Sequence, residues 1–266
     1  MPIARNDGLD IYYETAGAGP PVVLLHSFLC SGSMWAEQIE PLAQSQLVIN
    51  VDARGHGRSS HIERPFSYYD TVGDVTAVLD AVGVEAAVWA GLSMGGFTGL
   101  RAALTVPHRV AALVLLDTGA GGEPPLIRIK YAAMAWIVRL FGLRPMIGPV
   151  NRIMLGASTH KSNPELVSRR RREMAEIDVP SALRTLRALM VRDDIGDRLP
   201  EIHQPALVLV GTEDRARPPR DARRLAEGLP NATYVEIENA GHLSSLEQPA
   251  QVTDAMLQFL RTAIER

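Results

Sequence analysis

A chain of 266 residues, 46% hydrophobic and 21% charged, can bury a large core and is too apolar to stay disordered. A formal charge of −3 gives no overall pull toward nucleic acid or an anionic membrane, and aromatic residues at 5% leave little for base stacking. The one cysteine, Cys30, excludes an intrachain disulfide framework and any cysteine-rich zinc module, and it fits a reducing, cytoplasmic setting.

The opening residues, MPIARNDGLDIYYETAG, lack a basic stretch followed by an apolar one, so no secretory signal is expected. They read as two short strands, 2–5 and 9–15, turned at Gly8 and suited to an antiparallel sheet edge. Further strands follow as VVLL (22–25), LVINVD (47–52), AAVWAG (86–91), LVLLD (113–117), LVLVG (207–211) and YVEIE (234–238). Helix-sized segments separate most of them: 34–42, 68–82, 95–104, 222–228 and, with its apolar residues on one face, 250–264. Strands apolar on both faces, alternating with helices, predict an α/β fold with a mostly parallel eight-stranded sheet flanked by helices. The longest apolar runs are a third to a half of a bilayer-spanning helix, so no membrane insertion is expected.

From Glu123 to Leu199 the alternation stops, and three helical patterns stand in its place: 126–141, 164–177 and 180–192. The last two begin with Pro behind Asn163 and Val179, of which Val is a poor cap. This stretch reads as a helical cap (121–200) inserted into a core formed by 1–120 and 201–266. Residues 120–200 hold 14 Lys/Arg against 8 Asp/Glu, while the rest holds 13 against 22. The run Arg169–Arg172 supplies much of that excess and reads as a solvated helix face.

The segment VWAGLSMGG (88–96) contains G-x-S-x-G as Gly91-Leu92-Ser93-Met94-Gly95, with a strand before it and a helix after it. In that setting the glycines let a tight elbow close and Ser93 is expected to present its hydroxyl at a helix N-terminus as a nucleophile. A serine needs a base and an orienting acid. Loops at the carboxyl ends of later strands supply Asp214 and His242, in the order Ser, Asp, His that this arrangement requires. Asp117 is a rival acid at the end of its own strand, Glu213 reads as a loop or helix-capping carboxylate, and His56, His61, His108, His160 and His203 lack the strand-end placement. His26 has it, in HSFLCSGSMW, and is expected to buttress a loop. That loop offers the backbone N–H of Phe28, or of Ser27, as one oxyanion donor, with Met94 N–H as the other. Cys30 has no elbow and reads as a buried or pocket-lining thiol.

VDARGHGRS (51–59) lacks the patterns of a phosphate loop, so Asp52 and Arg54 are expected to hold neighbouring loops in place. No metal-ligand spacing is present; neither a metal nor a cofactor is expected. Trp35, Phe28, Met94, Met134, Trp136, Ile137 and Phe141 are candidate pocket residues. The stripe Ile127, Tyr131, Met134, Val138 and Phe141 equally suits a cap helix packed on the body.

The motifs HSFLCSGSMW, VDARGHGRS, GLSMGG, LVLVGTED and AGHLSSLEQP together resemble the α/β-hydrolase superfamily over nearly the whole chain. Within it the chain resembles 3-oxoadipate enol-lactonases, small bacterial carboxylesterases and cofactor-free perhydrolases, where Ser27 is a familiar replacement for glycine after the first-loop histidine. The resemblance implies a serine hydrolase acting on a small, largely apolar ester or lactone, with Ser93, Asp214 and His242 as its triad. Haloalkane dehalogenases and epoxide hydrolases resemble it in architecture but carry Asp at the elbow. Carbon–carbon hydrolases carry a more glycine-rich first loop than HSFLC. An acyltransferase, thioesterase or perhydrolase would use the same residues, and a binding protein would have lost them. A small molecule is the expected partner, nucleic acid is not, and homo-oligomer formation stays open.

Overall fold

Strands that are apolar on both faces need cover on both faces, and the computed structural model, which describes residues 2–264, supplies it. In chain order the first half consists of β1 (Ile3–Asn6), β2 (Leu9–Ala16), β3 (Pro21–Leu25), α1 (Ala36–Ala43), β4 (Leu47–Val51), α2 (Tyr68–Val82), β5 (Ala87–Leu92), α3 (Met94–Thr105) and β6 (Val110–Leu116). Five helices come next: α4 (Pro125–Phe141), α5 (Arg144–Met154), α6 (Ala157–Ser162), α7 (Pro164–Ala175) and α8 (Val179–Val191). The chain closes with β7 (Ala206–Gly211), α9 (Pro219–Gly228), β8 (Ala232–Ile237), α10 (Ser244–Glu247) and α11 (Pro249–Ile264).

The eight strands form one sheet in the order β1-β2-β4-β3-β5-β6-β7-β8. β1 pairs with β2, and β2 with β4, antiparallel; every other pairing is parallel. This is the alpha/beta hydrolase fold. Period-two alternation divides the strand residues between two apolar layers. Val23, Leu25, Trp89, Leu113 and Val208 face α2, α3 and α9. Val22, Leu24, Val88, Val114 and Leu209 face α1 and α11. Parallel pairing also brings the carboxyl ends of β3, β5, β6, β7 and β8 to one edge, where crossover loops carry functional side chains.

Between β6 and β7 there are five helices where the sequence pattern predicts three. α5 is not legible as a helix because Pro145, Gly148 and Pro149 interrupt it, and α6 has only 6 residues. The cap of α8 is Asp178, whose carboxylate accepts from Ser181 N–H at 2.8 Å, and Val179 is the first helical residue. Asn163 caps α7 through Leu166 N–H at 3.0 Å. The arginine run is not wholly solvated. Arg169, Arg171 and Arg172 are exposed, but Arg170 is buried and donates to Leu29 C=O at 2.7 Å, tying α7 to the loop after β3.

Candidate active site

The turn from β5 into α3 is tight because side chains are missing where backbone must approach backbone. A Cβ on Gly91 would lie 2.2 Å from the carbonyl carbon of Gly95, and one on Gly95 would lie 2.2 Å from Leu25 C=O. Between them Ser93 is held at φ 52°, ψ −102°, a conformation that costs about 1–3 kcal/mol and persists only where its surroundings enforce it. Its N–H donates to Leu116 C=O at 2.8 Å, and its C=O accepts from the Thr118 hydroxyl at 2.8 Å. Of the four other non-glycine residues with positive φ, Leu29 at 58°, Asp117 at 48° and Asn239 at 58° follow β3, β6 and β8, and only Asp7 lies elsewhere, in the turn between β1 and β2. Backbone strain is thus concentrated at the edge where the loops converge.

Ser93 Oγ stands 2.9 Å from His242 Nε2, and His242 Nδ1 stands 2.8 Å from Asp214 Oδ2. All three side chains are buried. The other oxygen of Asp214 accepts from the N–H groups of Ala216 at 2.8 Å and Arg217 at 2.9 Å, which fixes the carboxylate's orientation. Burial pushes the His242 pKa down, but the charge and hydrogen bond of Asp214 outweigh it and leave the imidazole above its ordinary 6.5.

Asp117 does not bond to His242. Its Oδ1 accepts from Gly211 N–H at 2.8 Å and its Oδ2 from the Ser244 hydroxyl at 2.6 Å, so it ties the end of β6 to the end of β7 and to the histidine loop. Burial, then the charge of Asp214, raises its pKa. Glu213 accepts from Ser158 N–H at 2.8 Å in the first turn of α6. His26 bridges two loops: its Nδ1–H donates to Ser27 C=O at 2.8 Å, and its Nε2 accepts from Ala53 N–H at 2.9 Å. Asp52 accepts from Gly32 N–H at 2.6 Å, and Arg54 pairs with Asp74 at 2.6 Å, so both brace loops. Cys30 is buried, and burial pushes its thiol pKa up, away from reactive thiolate.

Of the amides offered as oxyanion donors, Met94 N–H is the first of α3 and has no partner within the helix. Ser27 N–H is engaged by Met34 Sδ at 3.3 Å. Phe28 N–H has no backbone acceptor among the described residues, and the Phe28 side chain packs on the apolar cluster that contains Met94.

An apolar cavity of about 110 Å³ lies between the inserted helices and the loop after β3. Phe28, Leu29, Met134, Val138, Met146 and Leu186 are among its walls, and Ala216, two residues past Asp214, reaches it from the acid loop. Met134 is the one predicted residue of α4 that lines it. Trp35 is corrected to the core: wholly buried, it belongs to the apolar layer that residues of β3, β5 and α11 share on one side of the sheet. Trp136, Ile137 and Phe141 are corrected to solvent, because α4 turns Tyr131, Met134 and Val138 inward and these three outward.

Glu247, five residues past His242 in AGHLSSLEQP, holds the histidine loop. It accepts from Gly241 N–H at 3.0 Å and Leu243 N–H at 3.2 Å, the residues flanking His242, and from Gly156 N–H at 2.7 Å ahead of α6. Met154 C=O accepts from His242 N–H at 3.0 Å. The inserted segment therefore touches the histidine loop directly. Glu123, just before α4, pairs with Arg192 at 2.6 Å and with Arg217 in the acid loop.

A family model described as alpha/beta hydrolase fold matches residues 20–249. The 3-oxoadipate enol-lactonase 2 of Acinetobacter baylyi is 30% identical, over 92% of this chain and 90% of its own. A 2-hydroxy-6-oxononadienedioate/2-hydroxy-6-oxononatrienedioate hydrolase of Paraburkholderia phymatum is 33% identical, over 95% and 91%. The solved structure of a thermophilic esterase from Thermogutta terrifontis superposes with a TM-score of 0.93 at 30% identity, covering 98% of this chain and 97% of that one.

Proposed function

The chain belongs to the alpha/beta hydrolase family, and from that membership we propose that it cleaves a carboxylic ester or lactone through an acyl-enzyme on Ser93. The observation that carries the reading is the Ser93–His242–Asp214 relay at 2.9 and 2.8 Å, set on a strained elbow. In this reading Ser93 Oγ attacks the acyl carbonyl as its proton passes to His242 Nε2. Asp214 keeps its charge, holds the imidazole tautomer and stabilises the imidazolium. The amides of Phe28 and Met94 receive the oxyanion, each contributing about 3 kcal/mol to the lowered barrier. His242 then protonates the leaving oxygen. It next takes a proton from the water that attacks the acyl-enzyme and returns it to Ser93 Oγ as the acid leaves.

The cavity favours an apolar acyl part. Its walls hold no Lys, Arg or His to neutralise a carboxylate, and Tyr131 brings the one side-chain hydroxyl among them. The nonadienedioate named for the Paraburkholderia relative carries two carboxylates, so this lining speaks for an uncharged ester or lactone over that substrate class. With the inserted helices acting as a cap over the cavity, the acyl group enters between cap and core.

The test is Ser93→Ala assayed on p-nitrophenyl butyrate and on a γ-lactone, with folding checked by circular dichroism. The expected result is a folded protein whose turnover falls by about 10⁴-fold or more. Turnover within tenfold of the parent on both substrates rejects Ser93 as nucleophile.

A further inference from the structure

The helix that roofs the cavity with one face carries a second apolar face with nothing packed on it. Leu126, Ile129, Trp136, Ile137, Leu140 and Phe141 are exposed along α4, between 39% for Ile137 and 77% for Leu126. They recur at helical spacing and form one stripe, opposite Tyr131, Met134 and Val138. Solvated helix faces are normally polar, and a contiguous apolar patch of this kind marks a docking surface.

The charge around the stripe indicates what docks there. From 124 to 164 the chain has no Asp or Glu and 6 Lys/Arg, while the remainder has 21 Lys/Arg against 30 Asp/Glu. Those six, Arg128, Lys130, Arg139, Arg144, Arg152 and Lys161, are all exposed. Among the described residues none of them pairs with a carboxylate. A two-fold pairing of this face with a second copy would set like charges against each other. An anionic lipid surface meets both features, taking the apolar stripe into its headgroup boundary and the basic residues onto its phosphates. On α5, Ile153 is a further exposed apolar side chain.

The geometry points to α4 and α5 as a peripheral membrane-docking surface for an anionic lipid bilayer. No helix among the described residues is long and apolar enough to cross a membrane, so the contact is interfacial. The inference goes beyond the hydrolytic reading and does not depend on it.

Tryptophan fluorescence reads it directly. The chain has 3 Trp; Trp35 and Trp89 are 0% exposed and Trp136 is 65% exposed, so a change in solvent contact belongs to Trp136. Vesicles of equal parts phosphatidylglycerol and phosphatidylcholine are expected to shift the emission to the blue. Pure phosphatidylcholine vesicles leave it in place, and raising salt to about 1 M, where the Debye length is about 3 Å, weakens the shift. Ile129→Glu/Leu140→Glu is expected to lower binding by more than about tenfold at unchanged circular dichroism. Lys130→Gln/Arg139→Gln, which alters only exposed charge, weakens binding to the anionic vesicles as well. An emission indifferent to vesicles, or to their charge, overturns the proposal. So does a blue shift without lipid that grows with protein concentration alongside a dimer in sedimentation, which assigns the face to a second copy.

Discussion

A serine hydroxyl at its ordinary pKa attacks a carbonyl poorly, and everything around Ser93 bears on that deficit. The raised His242 pKa has a readable sign: the imidazolium, which cannot take the serine proton, persists above the ordinary 6.5. The kcat/KM profile on a neutral ester is therefore expected to fall on its acid side with an apparent pKa above 6.5. Asp214→Asn removes the negative charge that holds it there. It is expected to move that limb to lower pH while lowering kcat by about 10⁴-fold, and an unmoved limb contradicts the assigned pairing. Ser93, Asp214 and His242 were legible because each follows an apolar strand in a glycine-bearing or polar loop, where the side chain has no packing role to explain it. The bracing roles of Glu247 and Asp117 were not legible, although Glu247 stands in AGHLSSLEQP and Asp117 ends its strand as a rival acid: their partners are backbone N–H groups and one hydroxyl each, which leave no side-chain pattern in the sequence. Trp35 misled for a related reason: a large aromatic suits a core and a pocket equally, and only the cover that α1 and α11 give one side of the sheet decides between them.

Among the elements, the β5–α3 elbow shows how closely sequence and geometry can correspond. Glycine at 91 and 95 is required by backbone contact, and the motif could be read for that reason. Gly95→Ala places a methyl against Leu25 C=O, which cannot move without disturbing β3. Overpacking of this kind costs about 1–3 kcal/mol. At about 2–4 °C per kcal/mol for a chain of this size, the melting temperature is expected to drop by several degrees, with loss of any turnover of p-nitrophenyl butyrate. A Gly95→Ala protein with parental melting temperature and turnover contradicts the packing argument. The helix α4 is the opposite case. It is apolar almost all round, so its periodicity does not choose an inner face, and Trp136, Ile137 and Phe141, which suit a pocket by sequence, turn outward in the structure. Nor could breakers such as Pro149 be weighed against the packing of α5 on α4 and α7, which keeps that segment helical.

On the scale of the whole molecule, a formal charge of −3 hides an uneven distribution, with every acidic residue excluded from 124–164. The same segment that bears this surface also holds the site. Met154 and Gly156 contact the histidine loop, and Glu123 and Arg192 join the two ends of the insertion to the acid loop. The parallel sheet was legible from its apolar strands. The bonds between insertion and sheet were not, because they run across the interruption and join residues such as Gly156 and Glu247, 91 positions apart. Whether the relay makes Ser93 a nucleophile is read by treating the intact protein with a fluorophosphonate and mapping the adduct by mass spectrometry. The expected result is one adduct per chain, on Ser93, lost in His242→Ala; no adduct, or an adduct elsewhere that survives that substitution, means that Ser93 is not the nucleophile.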